Sequence, residues 1–181
     1  MVKNKQVRNF SKIELKGESK VHAEWSQLET IRTKDRSTGE LVSATNKKTL
    51  NKEPHHNFYD AMQRMIPHAM FKTGFASPET DDREWFIHEF LDDERFEGIK
   101  CTGIVIGKNE ETVKIMFEKE CPDGDGQVSN HVSPVISLLD VGELNYRFLQ
   151  IIRDQLQDVI AEADSYFDGT KYAITQLKAE L

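Results

Sequence analysis

Cysteine is almost missing from this chain: Cys101 and Cys121 are its only two in 181 residues. They stand too far apart for a CxxC zinc or redox pair and are too few for a disulfide framework, so they predict reduced thiols in a cytoplasmic protein. Long apolar runs are missing as well. The longest strongly apolar stretch, Thr102 to Gly107, falls far short of the ~18 residues that a membrane-spanning helix needs. The opening MVKNKQVRN carries no apolar signal region. Signatures of catalysis are absent too: there is no GxSxG elbow and no GxxxxGKS/T or GxGxxG phosphate cradle. No catalytic residue, metal or cofactor is therefore assigned from the sequence.

What is present is charge, unevenly spread. Up to Phe75 there are 14 Lys and Arg against 8 Asp and Glu; from Ala76 onward there are 10 against 23, giving the net −7. Apolar residues make up 38% and charged residues 30%, with ten Phe, two Trp and four Tyr along the chain. That composition builds a core under a charged surface rather than a disordered chain. A chain of this length fits a single domain.

Residues 1–9 are basic and aperiodic and predict a mobile arm, followed by one α+β domain over 10–181. Ser11–Lys16 and the run of Val21, Ala23 and Trp25 alternate with period two around a turn at 17–20, which predicts a hairpin. Leu41–Leu50 predicts a third strand. After Pro54, Asn57 is placed to cap a helix over about 58–70, whose Phe58, Ala61, Met62, Met65, Ile66 and Ala69 recur at helical spacing. Pro67 should kink or restart it, and Gly74 should end it. Residues 76–97 mix acids with aromatics, with a short helix expected at 83–91. Alternation returns in 98–107 and 112–118 across a KNEE turn, and a further strand should carry Val128, Val132 and Val135. The clearest element is a helix from about Gly142 to Asp168, with Leu144, Phe148, Ile152, Leu156, Val159, Ile160, Ala163 and Phe167 on one stripe and Gly169 as its stop.

Three strands, a helix, three strands and a helix predict an α+β fold of about six antiparallel strands. The rhythm is that of a duplicated βββα unit, with the long C-terminal helix and the shorter central helix covering the sheet.

Six histidines raise the question of a metal site, but His55 and His56 are adjacent and no i, i+4 pair of the HExxH kind occurs. DGDGQVSN (Asp123–Asn130) alternates carboxylates with glycine as calcium loops do, yet Pro134 stands where an EF-hand needs glutamate. It reads as a hairpin turn. Two binding surfaces remain. Lys3, Lys5, Arg8, Phe10, Lys12, Trp25, Lys47 and Lys48 combine cations for phosphates with aromatics for unpaired bases, a mixture suited to single-stranded nucleic acid. Glu14, Glu18, Glu24 and Glu29 interleave with these cations. The second surface is the acidic aromatic segment with Asp81, Asp82, Trp85, Glu89, Asp92 and Asp93, which suits a basic groove on a host protein.

EPHHNFYDAMQRMIPH (Glu53–His68), IKCTGIVIG (Ile99–Gly107) and DSYFDGTKYAITQL (Asp164–Leu177) resemble small bacteriophage and prophage proteins of no assigned function. The resemblance implies a gene from a replication, recombination or host-defence module, and it carries over no catalytic residue. The sequence-based expectation is a non-enzymatic accessory of DNA replication or recombination that binds single-stranded DNA. The alternative is an anti-defence inhibitor or adaptor acting on a host protein. A homodimer is a further expectation, since exposed sheet edges pair as symmetric dimers.

Overall fold

The computed structural model describes residues 8–17, 19–32, 39–76, 96–121, 126–142 and 145–170. The strands are β1 (Asn9–Leu15), β2 (Val21–Arg32), β3 (Gly39–Leu50), β4 (Ile99–Ile106), β5 (Thr112–Glu120), β6 (Val128–Val132) and the short β7 (Ile136–Ser137). The helices are α1 (His56–Gln63), α2 (Ile66–Thr73) and α3 (Leu149–Phe167). All strand pairs are antiparallel, in the order β3-β2-β1-β4-β5-β6, with β7 also on β5.

That order is two three-strand meanders joined back to back through their first strands, β1 and β4. Each meander is followed by helix, and each first strand carries a register shift against the second, at Phe10/Lys12 and at Cys101/Gly103. The βββα rhythm of the sequence thus has a counterpart in the topology. The central seam is tight. A Cβ on Gly103 would lie 2.9 Å from the Ile13 carbonyl oxygen and would overlap Met116 Cε. Met116 can swing away but the β1 backbone cannot, so Gly103→Ala should cost about 1–3 kcal/mol in urea unfolding. A loss under about 0.5 kcal/mol would show that the seam opens freely.

Alternation decides which face is buried. Ile13, Val21, Ala23, Ile104, Ile115 and Phe117 all point to one side and are buried under the helices. Each large side chain among them contributes about 1.5–3 kcal/mol of transfer free energy. At the break in the β4 ladder, the Cys101 N–H donates to Gln63 Oε1 of α1 at 2.7 Å, so no buried donor is orphaned there.

The central helix is two helices. The cap of α1 is His55, whose ring nitrogen accepts the Asn57 N–H, instead of the expected Asn57. Pro67 falls in the first turn of α2, where its missing N–H costs nothing, so the chain restarts rather than kinks. Gly74 closes α2 at φ 74°. The last helix begins at Leu149, later than its stripe predicted. Before it, Asn145 Nδ2 donates to Asp140 Oδ1 at 2.6 Å and Gly142 sits at φ 76°, a turn that competes with helix. The carboxyl of Asp140 is held below its usual pKa, chiefly by that Asn145 bond. The expected strand through Val135 is divided into β6 and β7, because the segment between them turns its Ser133 hydroxyl to the Ile115 N–H at 3.0 Å.

α3 packs on α1, and its C-terminal end reaches the first meander. There Phe167 meets Phe10 and Trp25, with ring centroids 6.3 and 5.4 Å away. Tyr166 donates to the backbone oxygens of Leu50 and Lys52, tying the helix to the end of β3. The helix expected at 83–91 lies outside the described residues.

Candidate interaction surface

Among the described residues the helices lie on one face of the sheet, and the alternate residues of the strands form the opposite face, which no described helix covers and which is called the open face. Antiparallel partners share a face, so the register lays out a row across five strands: Lys47 on β3, Glu24 on β2, Lys12 on β1, Val105 on β4 and Lys114 on β5. Two of the glutamates that interleave with lysines in the sequence, Glu14 and Glu24, are engaged here. Lys12 Nζ lies 2.9 Å from Glu14 Oε2, with Lys16 Nζ at 3.8 Å, and Lys47 Nζ lies 3.0 Å from Glu24 Oε1. The hydrogen bond from Lys47 is the main cause that lowers the Glu24 pKa. Lys16 and Lys20 are exposed where the β1–β2 turn meets the sheet. Further along, Lys100 stands opposite Glu118.

This arrangement keeps part of the sequence-derived nucleic-acid set and removes the rest. Lys12 and Lys47 share the open face. Lys48 does not: its β2 partner is the buried Ala23, so it lies on the helix side. Phe10 and Trp25 are buried, 4% and 7% exposed, with centroids 6.0 Å apart beside Phe167. The expectation that these rings stack on bases is corrected by their burial, because a ring packed into the core offers no free face.

Arg8, expected in a mobile arm, is fixed at the C-terminal end of α3. Its guanidinium reaches Asp164 Oδ1 and Asp168 Oδ1, both at 2.6 Å, and lies 5.6 Å from the centre of the Trp25 ring. Burial opposes its charge, but the bonds to Asp168 and Asp164 outweigh burial and raise its pKa. A cation there also complements the helix dipole. A sequence signal for this clamp exists: two carboxylates four apart at a helix C-terminus need a cation, and the first periodic strand is preceded by one. Lys3, Lys5, Asp81, Asp82, Trp85, Glu89, Asp92 and Asp93 lie outside the described residues. Lys114 carries no such signal, because only the register places it in the same row as Lys12, with Val105 between them.

Two buried side chains are of types that enzymes use, but their surroundings do not suit catalysis. Burial pushes the Cys101 thiol up to about 12, so it is a poor nucleophile. His68 is buried between Tyr146 and Gln155. Among the described residues no group of three or more His, Cys, Asp or Glu could hold a metal, and no helix is long and apolar enough to cross a membrane. A cleft of about 340 Å³ lies between the end of β1, α1 and β4, lined in part by Leu15, Tyr59, Gln63, Lys100, Thr102 and Glu118. The chain matches no protein-family model, no curated protein and no solved structure.

Proposed function

We propose that this is a non-enzymatic binding protein that holds nucleic acid by its phosphates on the open face of the sheet. The observation that carries the reading is the cross-strand row of Lys47, Lys12 and Lys114, continued at the turn by Lys16 and Lys20. Glu14 and Glu24 pair with Lys12 and Lys47 and offset their charge, so the excess of cation on this face is carried by Lys16, Lys20 and Lys114, in a chain whose net charge is −7. A sheet face crossed by cations tracks a backbone, whereas reading bases by stacking needs exposed rings, and Phe10 and Trp25 are buried. The sequence-based expectation of a phage-type replication, recombination or host-defence module is compatible with such binding, and we take replication or recombination as the role to test.

Lys16→Glu, Lys20→Glu and Lys114→Glu together test this while leaving Lys12, Glu14, Lys47 and Glu24 in place. With labelled single-stranded oligonucleotides, the wild type should bind with a log–log salt slope of about −2 to −3, as three or four phosphate contacts require. The triple variant should lose at least about tenfold in affinity, which is ~1.4 kcal/mol. No association at low salt, or unchanged affinity in the triple variant, would sink the reading. A host protein retained by the triple variant, but lost on charge reversal at Asp81, Asp82, Asp92 and Asp93, would favour the acidic segment as the working surface instead.

A further inference from the structure

Among the described residues, the two outermost strands of the sheet differ sharply in sequence. β3 carries Lys47 and Lys48, and charged side chains of this kind discourage a further strand. β6, with the sequence VSNHV, has no Lys, Arg, Asp, Glu or Pro, and its pairing with β5 runs without a shift. Its backbone orientation follows from the bonds at either end. Cys121 N–H donates to Gln127 O at 2.9 Å and Ser133 N–H donates to Ile115 O at 2.8 Å. Hydrogen-bonded positions alternate along an antiparallel pair. Ser129 and His131 therefore turn their backbone groups toward β5, while Val128, Asn130 and Val132 turn theirs outward. The side chains of those same three residues lie on the open face, with Val128 48% and Val132 58% exposed.

We propose that β6 pairs with β6 of a second copy of this chain, antiparallel about a twofold axis through Asn130, joining two sheets into one. The strand is self-complementary about that residue: valine, polar, asparagine, polar, valine. On this axis Val128 of one copy lies opposite Val132 of the other and Asn130 lies opposite itself. All three outward-facing residues then exchange both backbone bonds. A slip of two residues pairs valine with asparagine and leaves outward N–H and C=O groups unused, so the sequence selects the centred register. Glu118 and Glu120 stand one strand back on β5. Across the interface, the two β5 strands are three strand spacings apart, ~14 Å, which exceeds the screening length at physiological salt. The interface uses the edge remote from β3 and extends the open face across both copies.

The register is read by single cysteines in the full chain with Cys121→Ser, since Cys101 is buried. Directly opposed residues in such a pair have Cα atoms about 5.5 Å apart, within disulfide range, so Asn130→Cys should oxidise to a covalent dimer. Val128→Cys should not, because its counterpart lies on the order of 14 Å away along the strand. Asn130→Pro removes an outward N–H without taking a bond from β5, and should weaken the dimer at least about tenfold in sedimentation velocity while leaving the circular dichroism spectrum unchanged. The proposal is overturned if the wild type stays monomeric up to about 100 µM, a concentration at which even weak specific pairs form. Equal cross-linking at positions 128 and 130 would also overturn it.

Discussion

Lowering the pH from 7 to 5 is expected to cost the protein about 2 kcal/mol of stability through one buried histidine. The His68 Nε2 lies 2.9 Å from Gln155 Oε1, and its Nδ1 lies 2.8 Å from the Tyr146 hydroxyl. An amide oxygen only accepts, so Nε2 carries the proton and donates to Gln155, and Nδ1 accepts from the Tyr146 hydroxyl. The ring is thus neutral and satisfied. Its accessible surface is 0%, and burial lowers its pKa to about 3, only partly offset by the Gln155 bond. Burial likewise raises the Tyr146 pKa, and the Lys72 ammonium lies 5.3 Å from the Tyr146 ring centre, a further positive charge on that side.

The direction follows from proton uptake. Below about 6.5 the unfolded chain protonates this histidine and the folded chain does not, so unfolding is favoured increasingly as the pH falls from 6.5 toward 3. The full effect is about 4–5 kcal/mol, a large share of an ordinary domain's 5–15 kcal/mol. His68→Gln keeps hydrogen-bonding capacity but cannot take the charge. It should cost about 1–3 kcal/mol at pH 7 from imperfect bonding, and then lose less stability on acidification than the wild type, by about 1.4 kcal/mol per pH unit between 6 and 4. Urea unfolding of both proteins at several pH values measures this. Parallel losses in the two would show that His68 is not the acid-sensitive group.

The second large effect separates a core aromatic from a base-stacking one. Trp25→Ala should destabilise the protein by about 3–5 kcal/mol, the usual cost of truncating a large buried aromatic. It would remove contacts to Phe10 and Phe167, the Nε1–H bond to Gln27 Oε1 at 3.0 Å, and the ring beside Arg8. Trp25→Phe is the companion variant that stays folded and keeps the binding assay decisive. Its phenylalanine retains apolar contact at a cost of about 1–2 kcal/mol and should leave oligonucleotide affinity within about twofold. If Trp25→Phe instead weakened binding tenfold with little loss of stability, the ring would be a binding platform after all.

Local pattern carries most of the elements. Period-two alternation marks the strands because one face of the sheet is buried and the other open, and Gly74 and Gly169 mark helix ends because only positive φ continues the chain there. The helix starts near His55 and Leu149 are less legible. A histidine ring and an Asp140–Asn145 turn take over the roles expected of an Asn cap and a longer stripe. Such bonds depend on where a side chain is free to reach, which periodicity does not record.

The sequence by itself determined that this chain builds an α+β core, with an antiparallel sheet and a long C-terminal amphipathic helix, since those follow from spacing along a single segment. Only the tertiary structure decided what its charges and rings do. Pairing β1 with β4 brought Lys114 into a row with Lys12 and Lys47, while the docking of α3 buried Phe10 and Trp25 and turned Arg8 into a helix clamp. The reason is physical: a side chain's face is set by local period, but its neighbours across strands and layers are set by register and packing between segments far apart in the chain.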